Sequence, residues 1–270
     1  MPTLTSPSNP KIKQVRALRQ RKQRATTGLF VVEGIHPVGE AAASGAGVEH
    51  ICYAPELLES RFARELIEQQ SARGVPCLAV SAETFASIAE KENPQGILAV
   101  VRQPRRTLAE LKPENFGWGV ALVAPQDPGN VGTILRTIDA AGASGLLLLD
   151  GGADPYHPNA VRASMGALFW LPVVSAPFAE FTQWVRAHRY HLYGTSAHAS
   201  ADYRAVEYAR PAILLLGSEQ KGLSPGQMAE CEQVVCVPMR GRVSSLNLAV
   251  AAGVMLYAML EERKAEGGKQ

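Results

Sequence analysis

Three loops in the second half of the chain combine glycines with residues that can bind phosphate or polarise a hydroxyl group. The first loop reads DPGNVG at residues 127–132 and leads into Arg136. Asn130 is placed to cap the following helix, and Arg136 lies within the second turn, where its side chain can reach a ligand at the helix start. A helix N-terminus beside an arginine suits a phosphate, although an ordinary capped helix with a surface arginine has the same pattern.

The other two loops carry further polar residues after strand candidates. GSEQKGL at residues 217–223 has the glycine spacing of a Walker A loop, but Leu223 stands where lysine is required, which argues against a P-loop NTPase. VPMRGRVSSLN at residues 237–247 places two arginines and two serines before the last helix. Ligands of open α/β sheets bind beyond the carboxyl ends of strands, where all three loops are expected.

Alternating strands and helices predict two layered α/β domains. The polar stretch at residues 103–115 contains two prolines, so we place a smaller domain at 1–104, a linker at 105–115 and a larger domain at 116–270. The predicted strands are 29–32, 49–53, 75–80 and 97–101 in the first domain, and 119–124, 146–149, 191–194, 212–216 and 234–237 in the second.

Local patterns predict three helices. Asn9 and Pro10 predict a capped helix start. Residues 55–73 predict a helix with Leu58, Phe62, Leu66 and Gln69 on one face. The last helix is predicted at 246–263, and its apolar stripe consists of Leu246, Val250, Gly253, Tyr257 and Leu260.

Basic residues are concentrated near the start of the chain. The formal net charge is only +2, yet seven lysines and arginines lie between Lys11 and Arg24, and no acidic residue precedes Glu33. Such a block can follow a phosphate backbone, or it can be the solvated face of a helix. The candidate nucleic-acid contacts in it are Lys11, Lys13, Arg16, Arg19, Arg21 and Lys22.

Composition excludes several classes of protein. Of 270 residues, 46% are hydrophobic and 19% charged, which supports a core and argues against a disordered chain. No apolar run approaches the ~18 residues of a membrane span, and no secretory signal is visible, so we expect a cytoplasmic protein. The four cysteines form no CxxC pair and His188 and His191 lack a third ligand, so we expect reduced, mostly buried thiols and no metal site.

In their order and spacing, DPGNVGTILR, GSEQKGL and VPMRGRVSSLN resemble the three motifs of the SpoU/TrmH family. Members of this family are S-adenosylmethionine-dependent RNA ribose 2′-O-methyltransferases of the knotted SPOUT superfamily. The resemblance covers residues 120–260 and implies a C-terminal domain with a deep trefoil knot. The first hundred residues look like the family's N-terminal substrate-binding domain, a small ribosomal-protein-like α/β fold. Asp127 is a departure, because the first motif often begins with Asn.

The resemblance implies that S-adenosylmethionine lies bent on the loops of the knot and is held largely by backbone groups. The matching positions are Thr195, Gly217, Val237, Met239 and Leu246. At Gly217, the missing side chain would let the adenosine approach the backbone.

Arg136 matches the family's catalytic arginine. Because a guanidinium seldom loses its proton, two roles stay open: a general base assisted by a substrate phosphate, or a group that pairs with phosphate and stabilises the developing alkoxide. Asn130 would orient Arg136 or the ribose. The remaining polar positions of the pocket are Glu219, Ser245 and Asn247.

The resemblance predicts an enzyme that methylates a ribose 2′-oxygen in structured RNA, and the two-domain layout favours ribosomal RNA. A tRNA ribose methyltransferase and a non-catalytic RNA-binding assembly factor stay open as alternatives. A homodimer with the last helix at its interface is also implied, unless the apolar stripe belongs to the protomer core. Arg162, in the loop-to-helix passage at 157–167, is a further candidate RNA contact, with a surface or dimer role as the alternative. We expect the first domain to supply RNA affinity and the second the chemistry.

Overall fold

The computed structural model describes residues 3–267 and divides them into two compact units. The first unit consists of residues up to 104 together with residues 154–170, and the second of residues 105–153 together with those from 171 onward. Sequence order alone assigned 154–170 to the second domain. The segment joins the first unit because Asp154 pairs with the buried Arg24 at 2.7 Å and Tyr156 packs on Phe30.

The first unit is built on a mixed four-stranded sheet in the order β1-β4-β2-β3. β4 is antiparallel to both β1 and β2, and β3 is parallel to β2. The strands are β1 (Leu29–Glu33), β2 (Val48–Tyr53), β3 (Cys77–Ala79) and β4 (Ile97–Arg102). The helices are α1 (Pro10–Ala17), α2 (Arg21–Thr27), α3 (Ile35–Ala43), α4 (Arg61–Ala72), α5 (Ala82–Ala86) and α7 (Pro158–Ala163).

Local sequence signals explain where two of these helices begin. The side chain of Asn9 accepts a hydrogen bond from the Lys11 N–H, which confirms the predicted cap of α1. The helix predicted from residue 55 begins only at Arg61, because the Ser60 hydroxyl caps it by accepting from the Ala63 N–H. The predicted face was therefore wrong as well: Leu66 is buried, whereas Phe62 is exposed.

The second unit is built on a seven-stranded sheet in the order β7-β6-β5-β10-β8-β11-β9, in which the described pairs are all parallel. The strands are β5 (Trp118–Val123), β6 (Leu146–Leu149), β7 (Val173–Ala176), β8 (His191–Thr195), β9 (Ala201–Asp202), β10 (Ala212–Leu216) and β11 (Gln233–Cys236). The helices are α6 (Pro128–Ala140), α8 (Phe178–Ala187), α9 (Pro225–Ala229) and α10 (Leu248–Gly267).

The central strands of this sheet are apolar on both faces, as parallel strands covered by helices must be. Every residue of β5, β6 and β10 is buried. The sequence predicted these strands but missed β7 and the two-residue β9. Since the strands run parallel, the loops after β5, β8, β10 and β11 emerge at one edge of the sheet. The mixed α/β class is confirmed, while the trefoil threading stays a prediction of the resemblance.

The last helix differs from its prediction in its start, and its predicted apolar stripe does not lie wholly in the protomer core. It begins at Leu248 instead of residue 246, so Leu246 lies in the preceding loop. Its buried side chains are Leu248, Ala249, Ala252, Met255, Leu256 and Met259. Two members of the predicted stripe, Val250 and Tyr257, are instead exposed by 52% and 48%.

A buried histidine makes the first unit sensitive to acid. His50 on β2 has no solvent exposure, and neither ring nitrogen has a hydrogen-bond partner among the described residues. Burial, assisted by the charge of Lys11, lowers the pKa of His50 from 6.5 to about 4. The unfolded chain therefore binds a proton below pH 6.5 that the folded unit accepts only near pH 4, so stability is lost as the pH falls through this range.

We expect the protection of β2 and β4 amides against hydrogen exchange, corrected for intrinsic rates, to be about tenfold lower at pH 5.5 than at pH 7.5. The full loss by pH 4 corresponds to about 3 kcal/mol. His50→Leu, which has no group to protonate, should make the protection nearly independent of pH. His198→Asn, at an exposed histidine, is the matched control and should behave like the parent. Equal pH dependence in the parent and His50→Leu would contradict the prediction.

Candidate active site

The first of the three glycine-containing loops starts α6 three residues earlier than expected. Asp127, not Asn130, is the N-cap: its carboxylate accepts a hydrogen bond from the Gly129 N–H at 2.8 Å, and Pro128 occupies the first helical position. The reason is Pro128, because its fixed φ favours the first turn of a helix. Proline also has no backbone N–H, so it needs no hydrogen-bond acceptor at that position. Asn130 thus lies inside the helix, where its buried side chain is free to bond to other loops.

Glu219, in the loop after β10, binds the first loop at three points. Its carboxylate accepts hydrogen bonds from the backbone N–H of Gln126 at 2.8 Å, from that of Asp127 at 3.3 Å and from the side-chain amide of Asn130 at 3.0 Å. Partial burial opposes ionisation, but these hydrogen bonds outweigh it and lower the pKa of Glu219. An ionised Glu219 therefore holds two of the loops together at neutral pH.

Asn247 connects the third loop to the same pair. Its side-chain amide donates to the Asn130 Oδ1 at 3.1 Å, and its own Oδ1 accepts from the N–H groups of Ala249 at 2.9 Å and Val250 at 3.3 Å. Asn247 thus caps α10 while it binds Asn130. The three loops are joined in one chain of hydrogen bonds, Glu219 to Asn130 to Asn247, with Asn130 at its centre.

Arg136 lies on the solvent side of α6, two turns after the loop. Its side chain is exposed, and within residues 3–267 no hydrogen bond or ion pair engages its guanidinium. Asn130 bonds to Glu219 and Asn247, so the expected contact between Asn130 and Arg136 is not formed. Ser245 is also exposed in the third loop. Arg136 and Ser245 are therefore available to a substrate, whereas the three residues of the hydrogen-bond chain position the loops.

Three of the residues predicted to bind the cofactor lie at the carboxyl ends of three adjacent strands. Thr195 ends β8, Gly217 follows β10 and Val237 follows β11, and β8 pairs with both of the other strands. Met239 and Leu246 are half-buried in the third loop. In the described part of the chain, the backbone of residues 238–246 makes no hydrogen bond, so its N–H and C=O groups are free. Half-buried apolar side chains beside free backbone groups fit an adenosine-containing cofactor.

Gly217 is required for a different reason from the one expected. A Cβ atom at this position would lie 2.0 Å from the backbone carbon of Gly222 and 2.3 Å from the nitrogen of Leu223. The loop closes on itself here, since the Gly222 N–H donates to the Ser218 carbonyl at 2.9 Å. The loop's own backbone therefore excludes a side chain at Gly217, whether or not adenosine approaches it.

The basic block of the first unit is partly used within the protein. Arg24 is 2% exposed and bonded to Asp154, a partner that sequence reasoning missed because it lies 130 positions away. Arg16 donates to the Pro7 carbonyl and to Ser87 Oγ, and Arg19 forms an ion pair with Glu90 at 3.0 Å. The other candidates for RNA contact in this block are exposed side chains: Lys11, Lys13, Arg21 and Lys22.

Arg162 lies in α7, which the structure assigns to the first unit. Its Nη2 donates to Asn159 Oδ1 at 2.8 Å. The helix carrying it begins at Pro158, capped by His157, whose ring nitrogen accepts from the Asn159 N–H. The sequence identified Arg162 but not its neighbours in space, which come from the first hundred residues.

Residues 3–267 contain neither a cluster of metal ligands nor a membrane-spanning helix. No group of three or more His, Cys, Asp or Glu residues there could hold a metal ion, and His191 bonds instead to Glu232 at 2.6 Å. Cys52 and Cys77 are buried, and Cys231 and Cys236 are half-buried free thiols. None of the helices between residues 3 and 267 is long and apolar enough to cross a membrane.

Comparison with known proteins gives matches along nearly the whole chain. The model of the SpoU rRNA Methylase family matches residues 118–257, and that of the MRM3-like substrate binding domain matches residues 9–99. The chain is 35% identical to a 23S rRNA (uridine(2479)-2'-O)-methyltransferase of Streptomyces viridochromogenes, over 91% of this chain and 87% of the relative. It is 33% identical to the 23S rRNA (guanosine(2553)-2'-O)-methyltransferase RlmP of Bacillus subtilis, over 95% of this chain and 98% of the relative.

Solved structures give the same result. A crystal structure of an AdoMet-bound rRNA methyltransferase from Sinorhizobium meliloti superposes with a TM-score of 0.88 at 35% identity and covers 96% of this chain and 97% of its own. The SpoU methyltransferase AviRb from Streptomyces viridochromogenes, in complex with AdoMet, superposes with a TM-score of 0.87 at 34% identity, covering 95% of this chain and 99% of its own. With its three motif loops joined at one edge of a parallel sheet, the chain belongs to the SpoU rRNA methylase family.

Proposed function

We propose that this protein transfers a methyl group from S-adenosylmethionine to a ribose 2′-hydroxyl of ribosomal RNA. The observation that carries the proposal is the hydrogen-bonded chain Glu219–Asn130–Asn247, which holds the three motif loops together. The helix that starts at the first loop also carries Arg136, whose exposed side chain bonds to none of the described residues. The relatives that cover almost the whole chain support the substrate class, since two of them are named as 23S rRNA 2'-O-methyltransferases.

The protein's part in the reaction is to orient the ribose and stabilise charge. S-adenosylmethionine, when bound, supplies a methyl group on a sulfonium that leaves as a neutral thioether. A ribose hydroxyl is a weak acid, so its oxygen becomes a good nucleophile only as negative charge develops on it. Arg136 stabilises that charge and pairs with an adjacent phosphate, and the hydroxyl proton passes to the solvent at this exposed position. Glu219, Asn130 and Asn247 act as positioning residues, and the free backbone of residues 238–246 would hold the cofactor.

Two alternatives receive less support. A structural relative described for 2-OH methylation of C/U34 on tRNA covers 55% of this chain at a TM-score of 0.51, so it matches only part of the two-unit protein. A non-catalytic RNA-binding assembly factor would not need an exposed, unpaired Arg136 or an intact network behind it.

The proposal is tested by binding and transfer measurements on the full chain. Calorimetry should detect S-adenosylmethionine binding, and tritiated methyl groups should enter ribosomal RNA from a strain that lacks the gene. The labelled nucleotide should resist alkaline cleavage on its 3′ side, because a 2′-O-methyl group removes the nucleophile for that cleavage. Label entering tRNA alone would favour the first alternative, and cofactor binding or transfer that cannot be detected would favour the second.

We also propose that the first unit supplies RNA affinity and that its exposed basic residues contact phosphates. The match of residues 9–99 to a substrate-binding domain supports this division. The exposed lysines of α1 and α2, Lys11, Lys13 and Lys22, remain available, whereas Arg24 is not. The protein is proposed to act in the cytoplasm, where ribosomal RNA is modified.

The exposed side of α10 supports a homodimer. Val250 and Tyr257 are large apolar residues that the protomer core leaves half exposed, while the opposite side of the helix is buried. Burying such residues against a second copy would remove apolar surface from water.

Sedimentation at micromolar concentration should therefore give a species of about twice the 28.9 kDa of one chain. Val250→Glu with Tyr257→Glu should convert it to the single-chain species, because two buried like charges would face their copies across a symmetric interface. Phe62→Glu, at an exposed hydrophobic residue of the first unit, is the matched control and should leave the dimer intact. A parent protein that sediments only as a single chain would refute the dimer.

A further inference from the structure

A cleft in the first unit has the chemical character of a nucleotide site and lies outside the motif loops. Its lining comes from α1, from the end of β1, from the segment after α5 and from α7. The floor is formed by Val15, Leu18, Ile88 and Val161, each at most 3% exposed. An apolar floor of this kind suits a flat aromatic ring such as a base.

One polar group in the cleft has an unmet hydrogen-bonding capacity. Glu33 ends β1, and its Oε2 accepts a hydrogen bond from the Glu90 N–H at 2.7 Å. Its Oε1 is buried, and no residue in the described part of the chain donates to it. A buried carboxylate oxygen without a donor is costly, so a ligand is favoured whose donor reaches Oε1 after a small rotation of the Glu33 side chain.

Three cations line the same cleft as Glu33. Arg19 is held in place by its ion pair with Glu90 at 3.0 Å and by a hydrogen bond to the Ala89 carbonyl at 2.7 Å. Arg162 comes from α7 and Lys91 from the segment after α5. Both Arg19 and Arg162 were candidate RNA contacts from the sequence, and folding places these two distant residues around one cleft. Guanidinium groups at the rim can pair with phosphate or stack on a base.

We propose that this cleft binds one unpaired guanine nucleotide of the RNA substrate, with Glu33 accepting hydrogen bonds from the base edge. The inference rests on the proposed function for its substrate class. Guanine is favoured because its N1–H and N2–H donors lie side by side and match the two oxygens of a carboxylate. Oε2 keeps a free lone pair beside its bond to the Glu90 N–H. On the pairing edges of adenine, cytosine and uracil, each donor lies next to an acceptor. That acceptor would face a carboxylate oxygen and repel it.

The rim residues have a different role from Glu33. Phosphate contacts fix position without reading sequence, whereas base-edge contacts discriminate. Removing Arg162 should therefore lower the affinity for every RNA to a similar extent. Removing the Glu33 charge should lower the affinity only for RNAs that present guanine. These two signatures separate a base-reading cleft from a basic patch.

The test measures binding of fluorescein-labelled heptanucleotides to the full chain by fluorescence anisotropy, with no cofactor present. The probes are UUUGUUU, UUUAUUU, UUUCUUU, UUUUUUU and the inosine form UUUIUUU. The guanine probe should bind roughly 5- to 100-fold tighter than the adenine, cytosine and uracil probes. The inosine probe lacks the N2 donor, so its affinity should lie between that of the guanine probe and those of the other three.

Glu33→Gln should abolish the guanine preference while leaving affinity for UUUUUUU unchanged. Glu68→Gln, the same change at an exposed position of α4, should keep the preference. Arg162→Ala should weaken all five probes by a similar factor. Because Glu33 Oε1 has no donor, removing its charge should not impair folding, which circular dichroism of the variant would verify.

Equal affinities of the parent protein for all probes would overturn the inference, and this measurement needs no variant. A guanine preference that survives Glu33→Gln, or a loss of all binding in that variant, would overturn it too. Since these assays involve no methyl transfer, they stay distinct from the test of the proposed function. A guanine preference without methylation would refute the proposed methyltransferase function but not guanine binding in the cleft. Methylation without the preference would refute only guanine binding in the cleft.

Discussion

Replacing Arg136 by alanine is expected to lower methyl transfer by about 10²–10³-fold, while affinity for S-adenosylmethionine changes by no more than a few-fold. Arg136 is exposed on α6, and the hydrogen-bond chain through Asn130 does not include it. Its removal therefore leaves the loops in place. What would be lost is the positive charge that we propose stabilises the ribose oxygen. Single-turnover transfer to ribosomal RNA and calorimetry with the cofactor measure the two effects separately.

Two further variants sharpen this result. Arg106→Ala removes an exposed arginine of the same unit and should transfer methyl groups at the parent rate. Arg136→Lys keeps the charge but loses the planar fork, so it should recover only part of the activity if paired contacts to phosphate and ribose matter. Parent-like turnover in Arg136→Ala would remove this residue from the mechanism.

Asn130→Asp is expected to abolish transfer at pH 8 and to regain part of it as the pH falls. The substitution keeps the shape of Asn130 but replaces its amide donors, so the group 3.0 Å from Glu219 Oε1 becomes a second carboxylate. Repulsion between them raises the pKa of the pair, and a proton shared at lower pH restores one hydrogen bond. The contact from the Asn247 amide to position 130 can persist, because a carboxylate also accepts.

The readouts for this variant are the pH profile of transfer and the stability of the second unit. Loss of the Asn130 hydrogen bond to Glu219 should lower the free energy of unfolding by roughly 1–3 kcal/mol at pH 8. Both cofactor affinity and turnover should decrease, in contrast to Arg136→Ala, because all three loops depend on this residue. Asn93→Asp, at an exposed site of the first unit, is the matched control. If the activity of the variant decreases as the pH is lowered, in parallel with that of the parent, the Glu219–Asn130 contact does not position the loops.

Local signals in the sequence determined much of this protein. Asn9 followed by Pro10 predicted the start of α1, because both the cap and the first helical residue act over a few positions. Runs of apolar residues predicted the central strands, and their alternation with helices predicted layered α/β domains with the three loops beyond the carboxyl ends of strands. The motif letters then identified the family, and with it the residues to examine.

Contacts between distant residues were decided only by the tertiary structure. Asn130 lies 89 positions from Glu219 and 117 from Asn247, so the sequence named all three but suggested Arg136 or the ribose as Asn130's partner. The side of α10 that the protomer core covers could not be read from the sequence, because residues 248–260 are apolar all round the helix. Gly217 was explained by a ligand, whereas the backbone of Gly222 and Leu223 excludes a side chain there.

The cleft around Glu33 could not be found from sequence for the same reason. Its floor and rim come from four separate segments, and the last of them, α7, lies in the part of the chain that sequence order assigned to the other domain. A lone glutamate after a strand gives no sign that one of its oxygens will be buried without a donor. Propensity, capping and strand patterning act over a few residues, whereas the placing of a charge among distant neighbours depends on how the whole unit packs.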